Sequence, residues 1–336
     1  MIDATTTADR AGEGEGSWRR TAFAWLAAFI GPPVLLLLAV LLVDPYDSGR
    51  FPTFMPAGSP DQRPLTIGIS RGRDPRFNAV LLGNSRAVLG DPRHLSALTG
   101  LRFVEMAAEG ATVRDEMARL HWFARNRPRV DAIVVATDQV WCDPDPAMPD
   151  PRNFPYGLYG DSYLNYFKTT LSVSTLVFAK ERILYARGRM PGVDPEGFVD
   201  IEAKYRNDWR LDETLNVGWQ HISLEEPPAP IALPTLALLD SDLKQLPPST
   251  PVVLWMPPYY RNALPPPDTA PGRALAACKV TLRDWARRRP RTRFVDFATD
   301  TPEPADPRNF LDQTHVSNRF MRRLEVEIAA AVDQVK

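Results

Sequence analysis

Two short stretches near opposite ends of the chain carry the residue types that acyl chemistry needs. The first is Leu81-Leu82-Gly83-Asn84-Ser85-Arg86 and the second Asn309-Phe310-Leu311-Asp312-Gln313-Thr314-His315-Val316-Ser317. A serine hydroxyl is a poor nucleophile until a base takes its proton. Histidine suits that task near neutral pH, and a carboxylate on its other ring nitrogen fixes tautomer and orientation. An aspartate three residues before a histidine in one loop can reach it. Ser85, His315 and Asp312 are therefore the candidate nucleophile, base and orienting acid.

Each motif alone has a plainer explanation. A serine just past a strand serves as a helix N-cap, and an Asp-x-x-His can be an aspartate capping a turn beside a surface histidine. The remaining candidates carry less. Arg86 can bind an anionic group or form a salt bridge. Trp141, Trp209, Trp219, Tyr156, Tyr159 and Tyr163 enrich the middle of the chain in aromatics, which fill cores more often than they stack on sugars. The histidines His94, His121, His221 and His315 are scattered, and Cys142 and Cys278 make no metal-binding spacing, so no metal or other cofactor is expected. Two buried thiols are expected of the cysteines, a disulfide being allowed but not demanded. Arg287-Arg288-Arg289 reads as a solvated helix end. With a net charge of −1, the chain has no basic surplus for a nucleic-acid partner.

The elements that must position these residues alternate. Ala79–Gly83, Leu101–Met106, Val130–Thr137, Val252–Met256 and Arg293–Phe297 read as five strands, the third the most apolar and β-branched. Thr112–Arg125, with Thr112 and Asp115 in capping-box spacing, reads as a helix, as do Arg273–Arg288 and Ser317–Val335 with Ser317 as N-cap. Strands alternating with helices predict a mostly parallel sheet covered on both faces, with its site at the carboxyl ends of the strands. Ser85 falls just past the first strand, and Asp312 and His315 between the last strand and the last helix. Residues 141–250 interrupt the alternation. They are rich in Pro, Asp and aromatics, helical in part over Asp161–Arg187, and read as an insertion lying over one end of the sheet.

Residues 22–43 contain no charge and are long enough to cross a bilayer as a helix. Arg19 and Arg20 precede them, which places the N-terminus in the cytoplasm and the rest outside, at the cell (inner) membrane. The run is longer than a signal-peptide core and ends without a small-residue cleavage site, so an uncleaved single-pass anchor is expected. The organisation predicted is a disordered cytoplasmic tail over 1–20, a membrane helix over 21–43, a Pro/Gly/Asp-rich linker over 44–77 and an α/β domain over 78–336.

Gly83-Asn84-Ser85-Arg86 and Asp312-Gln313-Thr314-His315, with Asp44-Pro45-Tyr46 after the membrane helix, resemble the SGNH (GDSL-like) hydrolase superfamily, in particular its membrane-anchored bacterial branch. The resemblance covers about residues 44–336. It implies a flavodoxin-like three-layer α/β/α fold around a mostly parallel five-stranded sheet. It also implies ester chemistry on carbohydrates or lipids, as in the acetyltransferases and esterases that decorate exported polysaccharides. Carried over residue by residue, it makes Ser85 the nucleophile and one oxyanion donor, His315 the base, Asp312 its partner, and Gly110 in Ala108-Glu109-Gly110-Ala111 a second donor. A loop glycine opening the next helix remains the alternative for Gly110. The chain departs from the family's pattern twice. The first block reads Gly-Asn-Ser where Gly-Asp-Ser is usual. Ala136-Thr137-Asp138-Gln139 stands where a donor asparagine is usual, leaving Gln139 as the remaining side-chain donor. The function expected is an extracytoplasmic serine esterase or O-acyltransferase on an envelope or exported polysaccharide, alongside other envelope polysaccharide proteins. The alternative is a non-catalytic SGNH-like accessory protein that binds a glycan or a membrane partner during polymer export.

Overall fold

The computed structural model describes residues 8–60, 63–144, 153–205 and 231–336. In chain order the helices are α1 (Ala8–Val43), α2 (Gly68–Arg73), α3 (Pro92–Thr99), α4 (Val113–Arg125), α5 (Tyr156–Tyr159), α6 (Tyr163–Thr170), α7 (Val173–Ala186), α8 (Ile201–Tyr205), α9 (Pro234–Leu243), α10 (Ala270–Arg288), α11 (Pro302–Ala305) and α12 (Asn318–Val335). The strands are β1 (Ala79–Leu82), β2 (Phe103–Glu105), β3 (Ala132–Ala136), β4 (Val252–Met256) and β5 (Thr292–Asp296).

The five strands form one parallel sheet in the order β2-β1-β3-β4-β5. This is the flavodoxin-like doubly wound order, and the chain reverses its direction of travel across the sheet between β1 and β3. β1, β3 and β4 are buried along their whole length, as the unbroken apolar runs Ala-Val-Leu-Leu, Ala-Ile-Val-Val-Ala and Val-Val-Leu-Trp-Met require of strands covered on both faces. One face carries Val80, Leu82, Val135 and Leu254 and packs with α4, α9 and α10. The other carries Leu81, Val134, Val253 and Trp255 and packs with α12. α3 lies on α12 and beside β2.

Local signals explain the helices that flank the site. The Thr112 hydroxyl accepts from Asp115 N–H and the Asp115 carboxylate accepts from Thr112 N–H, closing the capping box that starts α4. Ser317 caps α12, whose apolar stripe of Phe320, Met321, Leu324 and Ile328 is buried. The sequence reading places no element between Ser85 and the second strand, yet α3 stands there. Its signals are local and short: Asp91 as N-cap, Pro92 at the first position and Gly100 at φ +73° after the last.

Three of the expected boundaries change. Residues 8–20, read as a disordered tail, are helical and continuous with α1, because adding turns to an existing helix avoids the cost of nucleation. Residues 44–77 are not a loose linker. Asp44, Tyr46, Asp47 and Ser48 are buried, and α2 packs against α4. The insertion does more than lie over one end of the sheet. Phe154, Leu158, Tyr159 and Tyr166 join the core, and α9 packs on α4. Its segment around Glu196 does reach the carboxyl end of β2, where Glu105 N–H donates to the Glu196 carbonyl at 2.8 Å.

α1 contains Trp18–Val43, 26 residues whose most apolar 18-residue stretch has a mean hydropathy of 2.7, long and apolar enough to cross a membrane. The two cysteines, expected as separate thiols, form a Cys142–Cys278 disulfide. Sequence spacing carries no trace of this pairing. It arises because the 3-10 turn Gln139–Cys142 after β3 packs against α10.

Candidate active site

Ser85 lies three residues past the end of β1, on a tight turn. Gly83 before it sits at φ +146°, and a Cβ there would come within 2.6 Å of Ala87 Cβ and 2.8 Å of Ala136 Cβ. Only glycine fits. The Asn84 carbonyl accepts from Ala87 N–H (3.0 Å) and Val88 N–H (3.2 Å), while its side-chain oxygen accepts from Arg86 N–H (3.1 Å). Asn84 thus starts one helix-like turn with Ser85 at its amino end, and regular helix resumes only at α3.

The other half of the site comes from the loop between β5 and α12. Phe310 and Val316 pair as an isolated antiparallel bridge, and Leu311 N–H donates to the His315 carbonyl at 2.8 Å. Inside that small closed loop, Asp312 Oδ1 accepts from Thr314 N–H (2.7 Å) and His315 N–H (2.8 Å). Asp312 Oδ2 takes His315 Nδ1 at 2.7 Å, and His315 Nε2 lies 2.8 Å from Ser85 Oγ. The chain of contacts Ser85–His315–Asp312 is complete across residues 230 apart in sequence. With Nδ1–H given to Asp312, Nε2 is left to accept the serine proton.

Burial on its own would raise Asp312. The hydrogen bonds from the His315 ring and from the Thr314 and His315 amides outweigh it and hold the carboxyl below the usual carboxylate range. The group stays ionised at neutral pH, as an orienting acid must. Ser85, Asp312 and His315 are all partly exposed, so the site is open to a reactant.

Arg86 turns to main-chain carbonyls, with no ion pair to an acid among the described residues. It is 5% exposed, its Nε donates to the Thr314 carbonyl at 3.1 Å, its NH2 donates to the Pro258 carbonyl, and its guanidinium lies over the Tyr259 ring at 3.7 Å. One side chain ties the nucleophile turn to the histidine loop and to the loop after β4. Tyr260 N–H adds a bond to the Gln313 carbonyl at 2.9 Å. Sequence reasoning missed this clamp. The only available signals were the arginine next to Ser85 and the Pro257-Pro258 that ends β4.

The turn carrying Gly110 is tied to the nucleophile turn, since Ala108 N–H donates to the Gly83 carbonyl at 3.1 Å, and Gly110 has φ +64°. Gln139 gives its N–H to Tyr259 Oη at 3.3 Å. From the β3 end it is Asp138 that reaches the nucleophile turn, accepting from Asn84 Nδ2 and from Val140 N–H. The amide–carboxylate pair accounts for asparagine before Ser85, because an aspartate there would face a second carboxylate. Of the aromatics, Trp141 and Tyr159 are buried in the core, and Tyr156 and Tyr163 are exposed. Trp209, Trp219 and His221 lie outside the described residues.

Ser85 follows β1 and Asp138 follows β3, so the site occupies the crevice where the sheet order reverses, the place where open α/β sheets bind ligands. A cavity of about 620 Å³ lies at the carboxyl end of β2, lined among others by Val88, Ala107, Ala108, Glu105, Arg71 and Lys204. Ser85, Asp312 and His315 do not line this cavity.

No protein-family model matches the chain, and no curated protein matches it.

Proposed function

We propose that the chain is a membrane-anchored, extracytoplasmic serine hydrolase of SGNH type, working as an esterase or O-acyltransferase on an envelope or exported polysaccharide. The observation that carries this reading is the Ser85 Oγ–His315 Nε2 contact of 2.8 Å, backed by Asp312 at 2.7 Å from Nδ1. Ser85 Oγ would attack the ester carbonyl carbon as His315 Nε2 takes its proton, with Asp312 stabilising the imidazolium. The N–H groups of Ser85 and Gly110 would receive the oxyanion. His315 would then return the proton to the leaving alcohol. Water or a sugar hydroxyl would resolve the acyl-enzyme by the reverse sequence. Glycan and acyl chemistry enter through the resemblance of the two motif blocks. The extracytoplasmic placement is supported by Arg19 and Arg20 before α1 and by the Cys142–Cys278 disulfide, a bond that persists in oxidising compartments.

The test is turnover of an aryl acetate by the full chain, together with labelling by a fluorophosphonate probe. Ser85→Ala should lower kcat by about 10⁴-fold or more and abolish labelling. An unchanged rate would refute the assignment.

One observation favours a second reading, a non-catalytic accessory protein that binds a glycan or a membrane partner during export. Asp138, an acceptor when ionised, stands where the resemblance expects a donor, and losing one oxyanion donor costs about 100- to 1000-fold in rate. Glycan binding without any probe labelling of Ser85 would favour that reading. Labelling abolished by His315→Ala would exclude it.

A further inference from the structure

Outside α1, most of the large apolar side chains exposed among the described residues gather in one region. Tyr163 and Leu164 on α6, Leu171 at the α6–α7 corner and Val173, Leu176 and Val177 on α7 are 40–80% exposed, and Phe54 is 72% exposed. An apolar face of this kind is costly to leave in water and marks a surface that meets something apolar.

Three sets of contacts place this face at the end of α1. α7 packs directly against α1. Tyr46 Oη hydrogen-bonds Thr175 Oγ1 at 2.9 Å and the Tyr46 ring meets Phe178 edge-on, so the first turns of α7 lie beside a residue only three positions past Val43. A separate strap returns to the same place, where Thr53 Oγ1 donates to the Leu42 carbonyl at 2.6 Å and brings Phe54 next to the last turn of α1. Leu42 and Leu38 are themselves about half exposed, so the bare surface of α1 runs on into Phe54 and the α6–α7 corner. The inner side of α6 is closed by Phe51 against Tyr166 and Phe167. The corner is thus held beside the C-terminal end of α1.

The charges fit a lipid surface. No acidic residue occurs between Asp161 and Glu181, and the charged residues in between are Lys168 and Lys180, both exposed. Lysines at the rim of an apolar face, with a tyrosine beside them, suit the headgroup region of an anionic membrane.

We infer that the α6–α7 corner, with Phe54, inserts into the headgroup and upper acyl region of the bilayer that α1 crosses, so that the domain lies against the membrane instead of hanging from it. This inference rests on α1 spanning a membrane. It needs neither catalysis nor the SGNH resemblance.

The full chain carrying one added cysteine, Val173→Cys, Val326→Cys or Phe29→Cys, is labelled with an environment-sensitive fluorophore. It is then reconstituted into phosphatidylcholine/phosphatidylglycerol vesicles with or without spin-labelled lipid. Cys142 and Cys278 are paired and buried and do not compete for the label. The expected result is a blue-shifted emission at position 173 that spin-labelled lipid quenches, quenching at 29, and water-like, unquenched emission at 326 on α12. Quenching at 29 with water-like emission at 173 would overturn the docking alone. A blue shift at 173 without lipid quenching, growing with protein density, would assign the face to a second copy and overturn it too. No quenching at 29 would overturn membrane spanning and docking together.

Discussion

Ser85, Asp312 and His315 are legible as candidates because two contiguous motifs, each with a plainer use alone, both fall on loops at the edge of the expected sheet. Arg86 was visible as a residue but not as a role, since its acceptors are main-chain carbonyls that any sequence supplies. Its fork over Tyr259 predicts that Arg86→Lys lowers kcat of the proposed ester reaction by about 100-fold with KM little changed, because lysine keeps the charge but cannot span both carbonyls. A raised KM with kcat intact in steady-state kinetics would mean that Arg86 binds substrate instead. Glu105 makes a second claim at this scale. Burial, against the pull of Arg71 and Arg119, pushes its carboxyl up from 4.5 to about 7. The folded protein therefore holds a proton there that the unfolded chain releases. This contribution to stability is full below pH 4.5 and is lost as pH rises through about 7. Glu105→Gln should flatten that part of the fall in Tm between pH 4.5 and 7, as followed by thermal melts.

At the scale of elements, alternation of apolar runs and amphipathic stretches was enough to place all five strands and α4, α10 and α12, because burial on both faces of a parallel sheet writes itself into composition. α3 has no legible period because eight residues are too few for one to stand out, although Asp91-Pro92 and Gly100 mark its ends. The junction after α1 looks like a linker in sequence for a different reason. Asp47 is 3% exposed at the side chain and takes its partners from distant segments: Arg182 at 2.9 Å, Arg73 at 2.5 Å, Ser70 at 2.7 Å and Gly58 N–H at 2.8 Å. Asp47→Ala would strand Arg182, which is fully buried, and should cost about 3–5 kcal/mol in a denaturant titration. A loss within the range of an exposed ion pair, about 1 kcal/mol or less, would show that the junction is loosely held.

Across the whole molecule, the crossing order of the strands puts β1 and β3 side by side, and the disulfide links the turn after β3 to α10 over 136 residues of chain. Much of the insertion lies within that closed loop. Replacing both cysteines by alanine should lower the unfolding free energy by about 2–5 kcal/mol, as read from chemical denaturation of the oxidised protein and the variant. Equal stabilities would show that the bridge serves only the redox state of the chain. The same topology explains why the site is composite. Its serine, its Asn84–Asp138 pair and its histidine loop come from three separate strand ends.

The sequence by itself determined the α/β class and the apolar N-terminal helix, and it marked Ser85, Asp312 and His315 as candidates. Each of these depends on local composition or on a contiguous motif. The tertiary structure alone decided that Ser85 and His315 meet, that Arg86 clamps the loops, that Asp138 faces Asn84, that Cys142 finds Cys278 and that the apolar α6–α7 corner sits at the end of α1. Each of these is a contact between segments far apart in the chain. Such contacts are set by strand order and helix packing, and those leave no periodic signature in any one stretch of residues.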